Sequence, residues 1–545
     1  MEPPPRLPTS SPPAGAVFNQ APPLEGIDMF STNRPLVEAT LRAGAGWALE
    51  RAARLGRRVG GEPLRWGFQA NANPPRLETH DRYGHRIDEV EFHPAWHELM
   101  RLGVSEELHA LPWRTTEPAG HSARAALYMT AIQAEAGFGC PITMTYAAVP
   151  ALRAEADLAA QWEPLLTSTD YDPRPIDPAE KGSAICGMAM TERQGGSDVR
   201  ANTTAATPIG GGEYELTGHK WFCSAPMSDV FLVLAQAPGG LTCFLLPRIL
   251  PDGTRNRLRL ERLKDKLGNR SNASAEVAFD GAWVRRVGPE GRGVPTIIEM
   301  VGHTRLDCAI GAAGGMRWAV AQAIHHATHR SAFGRRLIQA PLMRNVLADL
   351  ALESEAATAL AMRLAETYDE DSELKRLATA IGKYWLCKRV PAHAAEALEC
   401  LGGNGYVEAS GMPRLYREAP LASIWEGSGN VICLDVLRAL GRRPDALELY
   451  LAELDAAAGA DRRLDAFAAR LRAELADPSE RESRARLIVE QMALGLSAAL
   501  LVRHAPAAVA DAFCGARLGG AAGHEYGTLP PGTDFGAIVE RHRPV

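Results

Sequence analysis

The feature of this sequence that most constrains its fold is a change of hydrophobic period near the middle of the chain. Between residues 183 and 285, short runs rich in β-branched and aromatic residues are separated by Gly and Pro turns, which is the pattern of strands. The four clearest runs are Tyr214–Phe222, Val230–Gln236, Leu241–Pro247 and Ala275–Asp280. On both sides the period is helical, as in the apolar stripe of Leu374, Leu377, Ala378, Ile381 and Trp385. A β-rich block between helical segments predicts an α+β fold with a predominantly antiparallel sheet.

The same changes of pattern predict where the domains begin and end. Residues 1–24 are rich in proline, which indicates a disordered or polyproline arm. The other predicted parts are an N-terminal helical domain (25–182), the β domain (183–292), a C-terminal helical bundle (293–440) and a helical extension (441–545).

Composition excludes several classes of protein. Apolar residues make up 46% of the 545-residue chain and charged residues 23%, as in soluble globular proteins. The net charge of −6 gives no overall attraction to nucleic acid. Nine scattered cysteines without a CxxC pair, and histidines without a ligand spacing, argue against a metal site or disulfide scaffold and favour the cytoplasm. No uncharged run reaches the roughly 18–20 residues of a membrane helix, so no membrane partner is expected.

A single carboxylate is the candidate catalytic group. Glu426 stands between Trp425 and Gly427, directly before an apolar helical run over Val431–Leu440. The indole can exclude water on one side, and partial desolvation would raise the carboxyl pKa toward the range of a general base. The alternative is that Glu426 is an acidic first-turn residue that complements the dipole of the following helix.

Two motifs around the β block could bind a ring system. Met190–Asp198 supplies the hydroxyls of Thr191 and Ser197 and two adjacent glycines, which suit a hydrogen-bonding heterocycle or a phosphate. The alternative there is a plain Gly-Gly turn. On the next strand, Phe222 could stack on a ring whose edge Ser224 binds, or the segment could be an ordinary strand with core aromatics.

Two motifs in the second helical region could bind a dinucleotide. Arg330 offers a fork for phosphate oxygens, Phe333 offers a face for a purine, and Gln339 follows them. Leu401–Tyr406 is rich in glycine. It does not follow a predicted strand, so we do not interpret it as a Rossmann fingerprint.

Together these motifs resemble the acyl-CoA dehydrogenase family of flavoproteins. Ala189–Asp198 with Ala201 is similar to the first family signature, and Glu399–Tyr406 with Arg414 and Glu418 is similar to the second. Ala409 departs from the second signature, where an acidic or amide residue is usual, although Glu408 is adjacent. Four further stretches resemble the AidB branch, which is induced in the bacterial response to DNA alkylation: Asn71–Pro75, Phe92–His97, Leu260–Ala273 and Ser423–Asn430. The extension over 441–545 has the length and place of the extra domain of that branch.

The resemblance implies an FAD bound between the β domain and the C-terminal helices, in a homotetramer. The residues implied along the isoalloxazine are Met190, Thr191, Ser197, Phe222 and Ser224. Those implied at the ADP part, in a neighbouring subunit, are Arg330, Phe333 and Gln339, while Gly402, Gly403 and Asn430 complete the site.

The resemblance also implies an activity. Glu426 would remove the α-proton of an acyl-CoA thioester, in a pocket with Arg305, Asp307 and Trp425. The AidB branch implies weak turnover of a short branched, isovaleryl-type substrate. A buried charge at Asp307 would disfavour an apolar acyl chain.

A second function implied by the resemblance is binding of double-stranded DNA through the extension. The candidate contacts are Arg438, just before the extension, and Arg442 and Arg443 at its start. Residues 441–545 contain 13 arginines, no lysine and 15 acidic residues, so a DNA face requires that the arginines segregate. A solvated helix surface has the same composition. The alternative function is therefore an ordinary metabolic acyl-CoA dehydrogenase that does not bind DNA.

Overall fold

The computed structural model describes residues 17–545, so most of the predicted proline-rich arm lies outside the described residues. The described end of the arm bonds to the rest of the chain. Asn19 Nδ2 donates to the carbonyl of Ser331 over 2.8 Å, and the carbonyl of Pro22 lies 2.8 Å from His325 Nε2. These contacts attach Asn19 and Pro22 to β10 and α10, although Gln20 and Pro22 stay exposed.

Helices dominate the chain, as the period predicts. In chain order they are α1 (Arg34–Arg42), α2 (Leu49–Val59), α3 (Glu62–Ala72), α4 (Pro94–Ser105), α5 (Leu111–Arg114), α6 (Gly120–Ala131), α7 (Gly139–Leu152), α8 (Ala156–Leu166), α9 (Pro178–Lys181), α10 (Gly293–His329), α11 (Pro341–Asp369), α12 (Leu374–Glu399), α13 (Met412–Ala422), α14 (Gly429–Arg442), α15 (Pro444–Asp455), α16 (Arg462–Ala476), α17 (Ala485–His504), α18 (Ala507–Phe513) and α19 (Phe535–Arg541).

The strands are fewer and mostly lie in the central block. They are β1 (Arg76–His80), β2 (Arg86–Glu91), β3 (Cys186–Ala189), β4 (Ala205–Gly210), β5 (Glu213–Ser224), β6 (Val230–Ala237), β7 (Gly240–Pro247), β8 (Leu258–Leu263), β9 (Ser274–Val287), β10 (Ser331–Ala332) and β11 (Arg335–Arg336). The described chain forms two compact units, one of residues 62–120 and 134–307 and one of residues 17–61, 121–133 and 308–545.

The unit over 62–120 and 134–307 contains the sheet. Strands β6, β4, β5, β9 and β7 pair in that order, and β7 pairs again with β6, so the ring of strands closes. Only the β3–β6 and β4–β6 pairings are parallel, which confirms the predicted, mainly antiparallel sheet. Closure leaves few unpaired edges. Leu216, Phe231, Val233 and Phe244 are among the buried residues of its core.

Several strands escaped the sequence analysis. The region over 25–182 was predicted to be helical, yet it contains the hairpin of β1 and β2. The two strands are short and mostly exposed or half-buried, so they lack the apolar alternation that signals a strand. β3, β4 and β8 were also not predicted. β4 contains Pro208 and has five of six residues outside the core.

The other unit is a helical bundle that includes the extension. Helices α15 and α17 contact α12, and α17 and α19 contact α11. Arg517, just after α18, forms ion pairs with Asp349 (2.5 Å) and Glu353 (3.0 Å) on α11. Burial would raise the pKa of Glu353, but the guanidinium groups of Arg389 and Arg517 hold it at about 2. The extension is thus joined to the bundle by buried charge pairs.

One helix of the described chain, Ala485–His504, has the length and apolar character of a membrane span, with a mean hydropathy of 1.6 over its most apolar window. Of that window, 67% is buried within the protein. Its contacts with α11, α12, α14, α15 and α16 account for its apolar composition, because a core helix needs the same residues.

Candidate active site

The predicted catalytic carboxylate lies in a loop between two helices. α13 ends at Ala422 and α14 begins at Gly429. Between them, Glu426 has a left-handed φ of 56° and Gly427 a φ of 104°. A left-handed conformation is unfavourable for glutamate, and such residues concentrate at functional sites.

The structure contradicts the helix-dipole alternative for Glu426. α14 has no acidic residue in its first turn, and its N-cap is Ser428. Glu426 therefore precedes the cap. The helix itself, Gly429–Arg442, contains the predicted apolar run.

The hydrogen bonding of two side chains near Glu426, those of Trp425 and Asn430, bears on ligand binding. The indole Nε1 of Trp425 is buried and has no hydrogen-bond partner in the described part of the chain. Buried donors usually have an acceptor. An N–H group without one fits a site where a bound ligand supplies the acceptor. Asn430 is exposed, and its Oδ1 accepts a hydrogen bond of 2.8 Å from Arg486 Nε on α17.

The sequence analysis missed two residues that hold this loop. Arg486 comes from the extension and reaches Asn430. Lys383, on α12, donates from Nζ to the carbonyl oxygens of Trp425 (2.9 Å) and Gly427 (2.6 Å). The sequence contained a signal for Lys383. It is the single charged residue in the mainly apolar stretch between Leu377 and Cys387.

The glycines of the turn after α12 differ in the space around them. Gly402 (φ 59°) and Gly403 have open space where a Cβ would stand, so a ligand could approach their backbone. A Cβ on Gly405 would lie 2.1 Å from the carbonyl oxygen of Leu398, so that glycine is required by packing. The turn follows a helix, which confirms that it is not a Rossmann fingerprint.

The predicted ADP-binding residues lie on and beside a small hairpin after α10. Phe333 occupies the tip between β10 and β11, with φ 51° and a side chain that is 100% exposed. Arg330 Nη1 donates to the carbonyl of Asn19 over 2.5 Å. Gln339 Oε1 accepts from the backbone N–H of Arg336 over 3.2 Å. A fully exposed phenyl ring in a strained turn suits contact with a ligand or another subunit.

In the unit over 62–120 and 134–307, the Met190–Ser197 loop follows β3 and is built around a buried ion pair. Glu192 and Lys220 are both 0% exposed and lie 2.8 Å apart. Glu192 also accepts hydrogen bonds from the backbone N–H groups of Thr203 (2.7 Å) and Thr204 (3.1 Å). Burial would raise the pKa of Glu192, but these bonds and Lys220 hold it far below its usual range.

The two ring-binding motifs of this unit lie side by side. The carbonyl of Thr191 accepts from the backbone N–H of Trp221 over 2.8 Å. A Cβ on Gly196 would stand 2.4 Å from Thr191 Oγ1, so the turn needs glycine there for packing and is more than a generic Gly-Gly turn. Met190 and Thr191 are half-buried, and Ser197 is exposed at the turn.

Phe222 and Ser224 belong to β5, as predicted. The side chain of Phe222 is 53% exposed, so the interpretation as a core aromatic is wrong for this residue. Lys264 Nζ lies 4.8 Å from the centroid of its ring. Ser224 is half-buried and pairs in register with Ser274. An exposed phenyl ring beside a hydroxyl retains the ring-stacking geometry that the sequence predicts.

The remaining predicted residues lie on α10 and at the end of α14. Asp307 is 3% exposed, so its predicted burial is confirmed, and Arg305 is half-buried. Arg438, Arg442 and Arg443 are all exposed. Arg443 Nη1 pairs with Glu373, the N-cap residue of α12.

Comparison with protein families finds three models that match parts of the chain between residues 19 and 441. Residues 19–173 match the Adaptive response protein AidB N-terminal domain, 187–282 the acyl-CoA dehydrogenase middle domain, and 291–441 the acyl-CoA dehydrogenase C-terminal domain. AidB of Escherichia coli (strain K12) is 47% identical over 91% of this chain and 93% of its own length. The chain belongs to the AidB branch of the acyl-CoA dehydrogenase family.

Solved structures of acyl-CoA dehydrogenases share this fold. ACDH-11 of Caenorhabditis elegans, solved in complex with C11-CoA, has a TM-score of 0.84 and 27% identity, and the match covers 93% of this chain and 94% of that one. An acyl-CoA dehydrogenase complexed with FAD from Bacillus anthracis has a TM-score of 0.60 at 18% identity, over 77% of this chain and 76% of that one. That second likeness concerns the fold alone.

This AidB-branch chain is an FAD-dependent acyl-CoA dehydrogenase, and its residues fit the cofactor. In the unit over 17–61, 121–133 and 308–545, the orphaned indole N–H of Trp425, the open backbone at Gly402 and Gly403 and the exposed ring of Phe333 offer a donor, close approach and a stacking surface. In the other unit, the exposed ring of Phe222 offers a stacking surface of its own. These are the groups that a large planar, phosphate-bearing ligand requires.

Proposed function

We propose that this chain oxidises short branched acyl-CoA thioesters across Cα and Cβ, with Glu426 as the base. The observation that carries the proposal is the conformation of Glu426, which has a φ of 56° in the loop between α13 and α14. A strained backbone at a carboxylate is maintained only where the surrounding structure fixes it. Lys383 fixes it by binding the carbonyls on both sides.

The chemistry requires Glu426 to be ionised when the substrate binds. Its carboxylate takes the proton from Cα, and the electrons of that bond form the double bond while a hydride leaves Cβ. FAD, when bound, accepts the hydride. Trp425 excludes water from one side of the carboxylate, which strengthens the base and protects the step from solvent. The product is the α,β-unsaturated thioester, and the proton remains on Glu426.

The proposal of a short substrate is supported by the burial of Asp307, which the family resemblance implies as a pocket residue. Its side chain is 3% exposed, and a buried carboxylate disfavours contact with a long apolar chain. We therefore propose an isovaleryl-type acyl group and weak turnover.

The test is Glu426→Gln, which keeps the size of the side chain and removes the base. We expect normal FAD content and a kcat for isovaleryl-CoA oxidation lowered by about 10²- to 10⁴-fold. Glu540→Gln is the control, since Glu540 is 62% exposed and, among residues 17–545, forms its ion pair with Arg543 at the surface. Unchanged turnover in Glu426→Gln would show that this carboxylate has a structural role only.

A second proposed function is association with duplex DNA through Arg438 and Arg442, two of the three arginines that were predicted to contact it. The observation in favour is that Arg438 and Arg442 are exposed around the end of α14 and have no ion pair in the described chain. Against a broad DNA face, many arginines of the extension are neutralised by acidic partners: Arg443, Arg463, Arg472, Arg484, Arg503, Arg517, Arg541 and Arg543. The proposed contact is therefore narrow, and the alternative remains a dehydrogenase without DNA binding.

A salt series distinguishes these alternatives. Each neutralised phosphate adds about 0.9 to the log–log slope of affinity against salt. The double variant Arg438→Ala, Arg442→Ala should lower the slope by about 2 on unrelated duplexes alike. Arg443→Ala is the control, because Glu373 already neutralises that charge. Failure to bind DNA at low salt, or equal slopes in all variants, would contradict DNA contact at these positions.

We also propose a homotetramer, in which the hairpin that carries Phe333 meets the flavin of a neighbouring subunit. The support is the complete exposure of this ring within a single chain. Light scattering should give four chains per particle, and a monomer that holds FAD would contradict the proposal.

A further inference from the structure

A buried lysine next to the Glu426 loop has no role in the chemistry described above. Lys383 lies in the middle of α12 and is 1% exposed. A buried ammonium is costly unless it is paired and hydrogen-bonded. Within residues 17–545, its polar contacts are carbonyl oxygens, with no acidic side chain in ion-pair range. Stability alone therefore does not explain a lysine at this position, because an apolar residue on a core helix would avoid the desolvation cost.

The two carbonyls that Lys383 binds are those of Trp425 and Gly427, on either side of Glu426. Neither residue belongs to α13 or α14, so neither carbonyl accepts the usual bond of a helix. An ammonium group has three donors and can satisfy both carbonyls together. The distances of 2.9 and 2.6 Å are those of charge-assisted hydrogen bonds.

The loop needs these two hydrogen bonds because its backbone is strained. Left-handed φ is unfavourable at a non-glycine residue, and Glu426 adopts it at φ 56°. If the backbone relaxed to an ordinary φ, the Cα–Cβ bond of Glu426 would point elsewhere. The direction of the carboxylate thus depends on whatever holds Trp425 and Gly427 in place.

We propose that Lys383 is the positioning residue of the catalytic base. It fixes the backbone on both sides of Glu426 and thereby aims the carboxylate at the α-carbon. The inference rests on the proposed role of Glu426 as the base. Lys383 itself need not touch the substrate, and its effect is expected on the rate of proton removal, because a misplacement of about 1 Å can cost 10²-fold in rate.

The test is Lys383→Met, which keeps the length of the side chain and removes the donors. We expect kcat for isovaleryl-CoA, expressed per bound flavin, to fall about 10- to 100-fold, with KM changed by less than about threefold. Lys383→Arg restores a charge and two donors and should recover part of kcat. Lys375→Met is the control, since Lys375 is on the same helix, 35% exposed and paired with Asp371. It should behave as the wild type.

The other outcomes contradict the proposal in different ways. Normal kcat per flavin in Lys383→Met, with Glu426→Gln inactive, overturns the positioning role and leaves the base assignment intact. Normal turnover in Glu426→Gln overturns both. A lower melting temperature and lower flavin content at unchanged kcat per flavin assign Lys383 to structure alone. If Lys383→Met does not fold, Lys383→Gln, which is neutral and shorter, is judged by the same ratio of kcat to bound flavin.

Discussion

The ion pair of Glu192 and Lys220 supports a sharp prediction, because both side chains are fully buried. Lys220→Met removes the ammonium that lies 2.8 Å from the carboxylate and leaves Glu192 charged in the core. Removing one partner of such a pair costs about 3–5 kcal/mol. In a cooperative unit of about 150–250 residues, each kcal/mol shifts the melting temperature by about 2–4 °C. The expected decrease is therefore about 6–20 °C.

The assay is thermal unfolding followed by flavin fluorescence, because Glu192 lies in the proposed flavin loop. Lys220 also donates to the carbonyl of Leu234 on β6 over 2.7 Å. Because the variant disturbs the loop that contains Glu192, flavin should be released at or below the unfolding transition. Glu192→Gln combined with Lys220→Met should recover part of the loss, since no uncompensated charge remains. A decrease below about 2 °C in Lys220→Met, or a double variant no better than the single one, would refute this reasoning.

Three further predictions concern other contacts. Gly196→Ala should abolish flavin retention, measured by absorbance, since its Cβ would stand 2.4 Å from Thr191 Oγ1. Gly441→Ala, where a Cβ meets open space, serves for comparison, and a yellow Gly196→Ala protein would contradict the assignment of that loop. Arg330→Ala and Phe333→Ala should weaken FAD retention through loss of a phosphate fork and a ring contact, and unchanged dissociation constants would remove both residues from the site. Burial lowers the pKa of His393 to about 4, so the unfolded chain binds the extra proton and stability falls as the pH drops from about 6.5 toward 4. By pH 5 the free energy of unfolding should have fallen by about 2 kcal/mol. Melting curves of His393→Gln should lack this dependence on pH.

The candidate site shows which residues a sequence reveals. Glu426, Thr191 and Phe222 were predicted from short local motifs whose composition matches a chemical task. Lys383, Lys220 and Arg486 were not, although they hold those motifs in place. Lys383 is 42 positions from Trp425, Lys220 is 28 positions from Glu192, and Arg486 is 56 positions from Asn430. Periodic patterns report on residues within one helix or strand, so they do not reveal contacts between residues so far apart in the chain.

Some features of the fold could likewise be predicted from the sequence, and others could not. The helical and strand periods and the antiparallel character of the sheet follow from the sequence, because the alternation of apolar residues reports which face of an element is buried. The closure of the sheet through β6 and β7 and the hairpin of β1 and β2 do not, because pairing partners and short exposed strands are selected by the surrounding structure.

The sequence by itself thus determined the family, the fold class and the candidate groups for chemistry, since these depend on residue type and short spacing. The tertiary structure alone decided that Glu426 has a left-handed φ, and that its neighbours are bound by a buried ammonium. It also decided that most arginines of the extension are neutralised. Burial and pairing of charge are properties of the packed chain, because the cost of a charge depends on the dielectric and partners around it.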